Sequence, residues 1–273
     1  MRLIAIMNQK GGVGKTTATV NISAALATME KKVCVIDIDP QAHATLHLGA
    51  DLKDNDLSVY DVLTGKCKIA DVRRQVGDNL WLIPAHRDMV GGELELASAV
   101  GRELILRDEL AEDHFPLDYL FIDCPPSLGL FTLNALTAVQ DVFVPVVPQS
   151  LPLEGFIELL STSETVSKRL NKTLRLSGIF LNICDNTLLG KEVSKSISDY
   201  FSQREKLPAV CREAVVFETK IRRNIRLAEA PSHGCSIFGY DPHSSGAEDY
   251  RNLAVEIAEN FPSVHETDRF VTC

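Results

Sequence analysis

The chain has 273 residues, 45% of them hydrophobic, with a formal net charge of −9. That length can bury a full core as one large domain, and no run of about 18 apolar residues is present to cross a bilayer as a helix. Seven cysteines, at positions 34, 67, 124, 184, 211, 235 and 273, include no C-x-x-C pair. They read as reduced cytoplasmic thiols rather than a disulfide framework, and an N-terminus that runs straight into a strand and a glycine loop leaves no room for a signal peptide.

In chain order, apolar runs at 2–7, 33–38, 80–84, 119–123, 142–147 and 176–183 are short, rich in Val, Ile and Leu, and lack polar alternation. This is the pattern of strands buried on both faces. Between them, helices are expected over 15–29, which reads as amphipathic, and over 93–111, 128–139, 153–170 and 189–204. Strand and helix alternating in this way predict an α/β protein, a mostly parallel twisted sheet with helices on both faces, whose ligands sit at the carboxyl ends of the strands. Residues 40–79 are the least regular, with a polar stretch at 51–56 and turn signals at Gly49 and Gly65. They are expected as short helices and loops inserted after the second strand. Residues 1–260 form one domain in this reading, and 261–273, with a proline, mixed charge and no periodicity, form a flexible tail.

Between the first strand and the first helix stand Lys10, Gly11, Gly12, Val13, Gly14, Lys15, Thr16 and Thr17. A strand, a glycine-rich turn and a Lys-Thr pair at a helix start make a phosphate cradle. Backbone N–H groups ring the anion, Lys15 reaches the β- and γ-phosphates, and the Thr16 hydroxyl helps hold Mg²⁺. Gln9 stands where the usual G-x-x-x-x-G-K-[ST] loop has its first glycine, and a second lysine, Lys10, precedes the glycines. Asp123 closes an apolar strand, a position from which a carboxylate accepts from the hydration shell of Mg²⁺. Asn182 ends another, where its amide could meet a purine edge or merely serve a turn.

The sequence K-G-G-V-G-K-T-T resembles the deviant Walker A loop of the ParA/MinD family of ATPases. Asp37 to Gln41 is similar to that family's D-x-D-P-Q, and Asp123 to Ser127 to its D-x-P-P-S. Leu227 to Gly234 resembles the L-A/S-E-A-P-S-x-G segment of chromosomal, Soj-type members. The resemblance spans 1–258 and implies an ATP- and Mg²⁺-dependent partitioning ATPase with weak intrinsic activity. It implies that Asp39 orients the attacking water, that Asp37 supports Mg²⁺ or the loop, and that Asn182 contacts adenine. Lys10 would reach across an ATP sandwich homodimer to the partner's nucleotide, the alternative being a contact with its own phosphates. It further implies nonspecific DNA binding, stimulation by a ParB-like protein, segregation of chromosome or plasmid DNA, and a nucleoid-associated location.

Charge is unevenly spread: 166–226 carries 13 of the 28 Lys and Arg but 6 of the 37 Asp and Glu. Such a skew is either a face for a polyanion or a set of solvated helix faces. By resemblance the DNA-contacting candidates are Arg222, Arg223 and Arg226, extended by Lys191, Lys195, Arg204 and Lys220. Soj-type members have Pro-Arg-Asn-Val-Arg where this chain has Arg222 to Arg226, so a proline is exchanged for an arginine. Three other readings remain: positioning of a protein cargo such as a chemoreceptor array, carboxysome or flagellum; a MinD-like membrane-associated division-site ATPase, which needs a basic amphipathic C-terminal helix absent from 261–273; and a metabolic ligase or reductase on the same scaffold. His43 and His47 lack an evident third metal ligand, and Cys124 reads as a small buried filler.

Overall fold

The computed structural model describes residues 1–148 and 153–263. Eight strands form one sheet: β1 (Arg2–Ile6), β2 (Val33–Asp37), β3 (Arg74–Gly77), β4 (Leu80–Ile83), β5 (Tyr119–Asp123), β6 (Asp141–Val146), β7 (Arg175–Cys184) and β8 (Val215–Arg222). The helices are α1 (Lys15–Thr28), α2 (His43–His47), α3 (Val59–Leu63), α4 (Ile69–Val72), α5 (Gly92–Leu96), α6 (Ile105–Glu112), α7 (Leu130–Ala138), α8 (Leu153–Arg169), α9 (Leu188–Ser202), α10 (Ile225–Glu229), α11 (Ile237–Tyr240) and α12 (Ser245–Asn260). The sheet order is β3-β4-β2-β5-β1-β6-β7-β8, and every pair is parallel except β3 with β4.

Both faces of the sheet are buried, as continuous apolar runs require. Ile4, Ile6, Val33, Val35, Tyr119 and Phe121 pack in one apolar cluster with α1 and α12. Their alternating neighbours Ala5, Cys34, Ile36, Leu120 and Ile122 pack in the other, with α3, α6, α7 and α8. Side chains alternate with period two along a strand. Asp37 and Asp123, two residues beyond Val35 and Phe121, therefore belong to the face that carries α1. They are also direct register partners across β2 and β5, and Ile6 of β1 pairs with Asp123 on its other side.

Several expectations need correction. Helix α1 is not amphipathic: Ala18 through Ala27 are all buried, because the helix lies between the sheet and α12. The helix expected over 93–111 is broken into α5 and α6, with Gly101 at φ 70 between them, a left-handed conformation suited to glycine. The irregular 40–79 stretch contains β3, which returns against β4 through Asn79 at φ 55. Strand β8 and helix α12 were not anticipated. The flexible tail does not begin at 261: Phe261 packs against Phe143 and Phe217, and the Ser263 hydroxyl bonds the Asp118 carboxylate at 3.2 Å. Residues 264–273, the rest of that expected tail, lie outside the described residues. No helix among the described residues is long and apolar enough to cross a membrane.

Candidate active site

The loop from β1 to α1 is braced from outside itself. Asn8 donates its amide to the Pro145 carbonyl at 2.8 Å and accepts the Lys10 N–H at 2.9 Å. Val13 is buried, and its carbonyl accepts the Asn182 amide at 2.7 Å. Gly14 caps α1 at φ 80 with no side-chain hydrogen bond, and the first turn carries no acidic residue. The opening N–H groups of α1 thus have no side chain of their own cap, the arrangement that favours an anion. A Cβ at Gly11 or Gly12 would meet nothing within 4 Å, so the rim of the loop is open to a ligand.

Lys15 is almost wholly buried, and its amine lies 3.3 Å from the Lys10 carbonyl of its own loop. Burial lowers its pKa, while Asp123 and Asp39 act in the opposite sense. Lys10 is exposed, and no hydrogen bond or ion pair of its amine is found among the described residues. The Thr16 hydroxyl donates to Asp123 at 2.8 Å, and Thr19, one helical turn on, donates to the other carboxylate oxygen at 3.1 Å. Asp123 is fully buried, and desolvation followed by the nearness of Asp37 raises its pKa.

Asp37 has both oxygens engaged within the protein. One accepts the Thr45 N–H and hydroxyl, each at 2.8 Å, and the other the Asp39 N–H at 3.1 Å. Burial raises its pKa while these bonds lower it. Of the two roles expected for Asp37, this arrangement supports the loop that presents Asp39. Asp39 itself is nearly buried and accepts the Gln41 N–H at 2.9 Å. The Thr16 hydroxyl and the Asp123 carboxylate are hard oxygen donors beside a glycine cradle that a Cβ would narrow, a set that fits Mg²⁺ with a polyphosphate.

Beside the cradle opens a cavity of about 580 Å³ lined by Gly14, Thr17, Asn182, Ile183, the 221–225 turn and Tyr250, among others. Asn182 lines it, but its amide is committed to Val13 and its oxygen accepts the Ile183 N–H at 3.1 Å. The three arginines expected to contact DNA are not a free basic cluster. Arg222 bonds Asp249 and Glu248, Arg223 grips Asp185 at 2.7 and 3.0 Å, and Arg226 pairs with Glu229 at 2.9 Å and Asp241 at 3.5 Å. Lys191 and Lys195 stand elsewhere, with Arg204 and Lys220, along an open groove of about 750 Å³ between α9 and β8. No ion pair of either lysine is found among the described residues.

Sequence reasoning missed Asn8, Thr19, Thr45 and Tyr250. Thr19 had a usable signal, since Thr16 and Thr19 share a helix face at i, i+3. Asn8 reaches Pro145, 137 residues on, and Thr45 turns back to Asp37 through a loop with no periodicity, so neither left one.

A family model described as an AAA domain matches residues 1–176. The sporulation initiation inhibitor protein Soj of Bacillus subtilis is 45% identical over 261 residues, covering 95% of this chain and 99% of that one. A chromosome-partitioning ATPase Soj of Treponema pallidum is 42% identical over 258 residues, covering 94% and 96%. Among solved structures, cobyrinic acid a,c-diamide synthase of Mycobacterium smegmatis, with bound ADP and magnesium, superposes with a TM-score of 0.78 at 32% identity, covering 96% of this chain and 98% of that one.

Proposed function

The chain belongs to the ParA/Soj family of partitioning ATPases, and we propose that it is an ATP-driven switch that dimerises around Mg²⁺·ATP, holds DNA nonspecifically and releases it when a ParB-like partner stimulates hydrolysis. The observation that carries this reading is the meeting of Lys15, Thr16, Asp123 and the Asp37–Asp39 loop at the carboxyl ends of β1, β2 and β5.

Within the site the residues divide the work. Gly11 to Gly14 with the α1 N-terminus receive the phosphates, and Lys15 turns from its own loop carbonyl to the β- and γ-phosphates. Thr16 and Asp123 hold magnesium, which when bound offsets the charge that develops on the transferred phosphoryl group. Asp39, fixed by Asp37 and Gln41, orients the attacking water. Lys10, exposed and unengaged, crosses to the nucleotide of a second copy, so that association depends on the γ-phosphate being present. DNA phosphates are met first by Lys191 and Lys195, whose charge is not already answered by a carboxylate, in a binding mode that is sequence-independent and salt-dependent.

Light scattering after size exclusion, with a slowly hydrolysed ATP analogue, tests the switch. Wild type is expected as a dimer and Lys10→Ala as a monomer with nucleotide still bound. A Lys10→Ala dimer as stable as wild type would remove the trans lysine from the scheme. The second reading, a ligase on this scaffold, is favoured by the diamide synthase likeness. It is separated by DNA co-sedimentation in the Asp39→Ala form, which a ligase would leave in solution. A pulldown with the same variant distinguishes DNA cargo from a protein cargo, since cargo choice lies in the partner.

A further inference from the structure

The turn that presents Asp39 does not hold itself. Between β2 and α2 the chain reverses over Asp39 to Ala42, where the Ala42 N–H donates to the Asp39 carbonyl at 2.8 Å. Ala42 stands at φ 52, a left-handed conformation that is costly for a residue with a side chain and persists only where its surroundings enforce it. Thr45, in the first turn of α2, supplies an anchor. It is 2% exposed, and its N–H and its hydroxyl both close back on one oxygen of Asp37, each at 2.8 Å. The same hydroxyl oxygen accepts the Ala85 N–H at 2.9 Å, just past the end of β4. The other Asp37 oxygen accepts the Asp39 N–H at 3.1 Å. An unbroken series of bonds thus runs from the end of β4 through Thr45 and Asp37 to the backbone of Asp39. The series needs a hydroxyl at position 45, because only a group that donates and accepts at once fits between a carboxylate and an N–H. No hydrogen bond joins Thr45 to the glycine loop among the described residues.

We propose that Thr45 is a positioning residue for hydrolysis: through Asp37 it fixes the backbone from which Asp39 reaches the attacking water. This deepens the role given to Asp39 above and rests on it. Loss of the Thr45 hydroxyl leaves Asp37 with one donor fewer and the buried Ala85 N–H without its acceptor, so the 37–45 loop is free to shift. The phosphate-binding groups of the cradle lie outside this series, so nucleotide affinity should hold while the chemical step slows. A small displacement of a group that must meet a reacting atom is enough to cost a large part of the rate.

The test follows single-turnover hydrolysis, calorimetric titration with Mg²⁺·ATP and thermal melting in wild type, Thr45→Val, Thr45→Ser, Asp39→Ala and the double variant Thr45→Val with Asp39→Ala. Valine keeps the branched shape and the N–H of threonine and removes the hydroxyl. Thr45→Val is expected to hydrolyse about tenfold more slowly with ATP Kd within about twofold of wild type, and Thr45→Ser to recover most of that loss. In the Asp39→Ala background the same change should alter the rate less than about twofold, since the group it positions is gone. A folded Thr45→Val with a wild-type rate, or with an affinity that falls in step with the rate, overturns the proposal whatever its melting temperature. So does a Thr45→Val loss that reappears in full in the double variant. If Thr45→Val does not fold, Asp37→Asn decides, since an amide offers one acceptor oxygen where the carboxylate offers two. A slower rate at an unchanged Mg²⁺ requirement upholds the series of bonds, and a wild-type rate or a raised Mg²⁺ requirement overturns it. A wild-type rate in Asp39→Ala would instead sink the reading of Asp39 itself.

Discussion

Gly14 and Gly11 sit three residues apart in one loop, yet a methyl group should harm the protein at each for a different reason. At Gly14 the backbone has φ 80, a left-handed conformation that costs an L side chain about 1–2 kcal/mol. An added Cβ would also stand 2.4 Å from the Asn182 amide nitrogen, which must then abandon the Val13 carbonyl it bonds at 2.7 Å. Leaving a buried donor and acceptor apart costs a further ~1–3 kcal/mol. Gly14→Ala is therefore expected to lose about 2–5 kcal/mol, or roughly 4–20 °C in melting temperature for a domain of this size. Gly11→Ala meets no atom within 4 Å and should stay within about 0.5 kcal/mol of wild type, while ATP binding falls because the methyl projects into the phosphate path. Urea unfolding and ATP titration of both variants separate the two effects. A double variant, Gly14→Ala with Asn182→Ala, should recover part of the loss, because removing the amide removes the collision. Strict additivity of the two changes, or wild-type stability in Gly14→Ala, would refute the account of Asn182 as the strut beneath the loop.

Three further outcomes follow from the same geometry. His47 is buried, and desolvation lowers its pKa from 6.5 to about 4 against an opposing backbone bond at Cys235. The unfolded chain therefore takes up a proton that the folded one refuses, so stability is full above 6.5 and falls by roughly 2–3 kcal/mol on the way to pH 4. Urea midpoints across that range should slope less in His47→Gln. Asp39→Ala should bind Mg²⁺·ATP normally while kcat drops about a hundredfold or more, as single-turnover measurements would register; an unchanged kcat would exclude Asp39 from orienting water. Replacing Lys191 and Lys195 together by Gln should lower the slope of log affinity for DNA against log salt by about two, read by fluorescence anisotropy. Arg226→Gln should change it far less, because Glu229 and Asp241 already answer that charge.

What the sequence disclosed and what it withheld divide along physical lines. The six apolar runs correspond to β1, β2, β4, β5, β6 and β7, because strands buried on both faces need no polar alternation. Strand β8 escaped the same criterion because it is an edge. Phe217 and Ile221 point inward, while Glu218, Lys220 and Arg222 alternate with them, so the segment reads as polar. Helix α12 did carry a period, with Tyr250, Leu253, Ala254 and Ile257 all fully buried at helical spacing. The state of Arg222 and Arg223 could not be read at all, whereas Arg226 meets Glu229 at i, i+3, a spacing the sequence does show. The partners of Arg222 and Arg223, Asp185, Glu248 and Asp249, lie more than 20 residues away, and only the folding of β8 beside β7 and α12 brings the charges together.

The cradle was legible for the opposite reason: its parts are short, contiguous motifs whose relative placement is fixed by sheet order. Strand β5 lies between β1 and β2, so Ile6, Asp123 and Asp37 stand in register although more than 80 residues separate Asp37 from Asp123. Parity along the strands then decides the face. Asp37 and Asp123 fall on the side of Val35 and Phe121, where α1 lies, so the carboxylate meets Thr16 and Thr19 rather than α7 on the other side. A slip of one residue in β5 would keep the hydrogen-bond ladder yet turn Asp123 toward the opposite core. That slip is opposed by size and shape, because it would exchange the aromatic Tyr119 and Phe121 of one core with the aliphatic Leu120 and Ile122 of the other. The residues that build the two cores thus also fix which way the site carboxylate faces, and a change that loosens packing in β5 should disturb magnesium binding before it disturbs the fold.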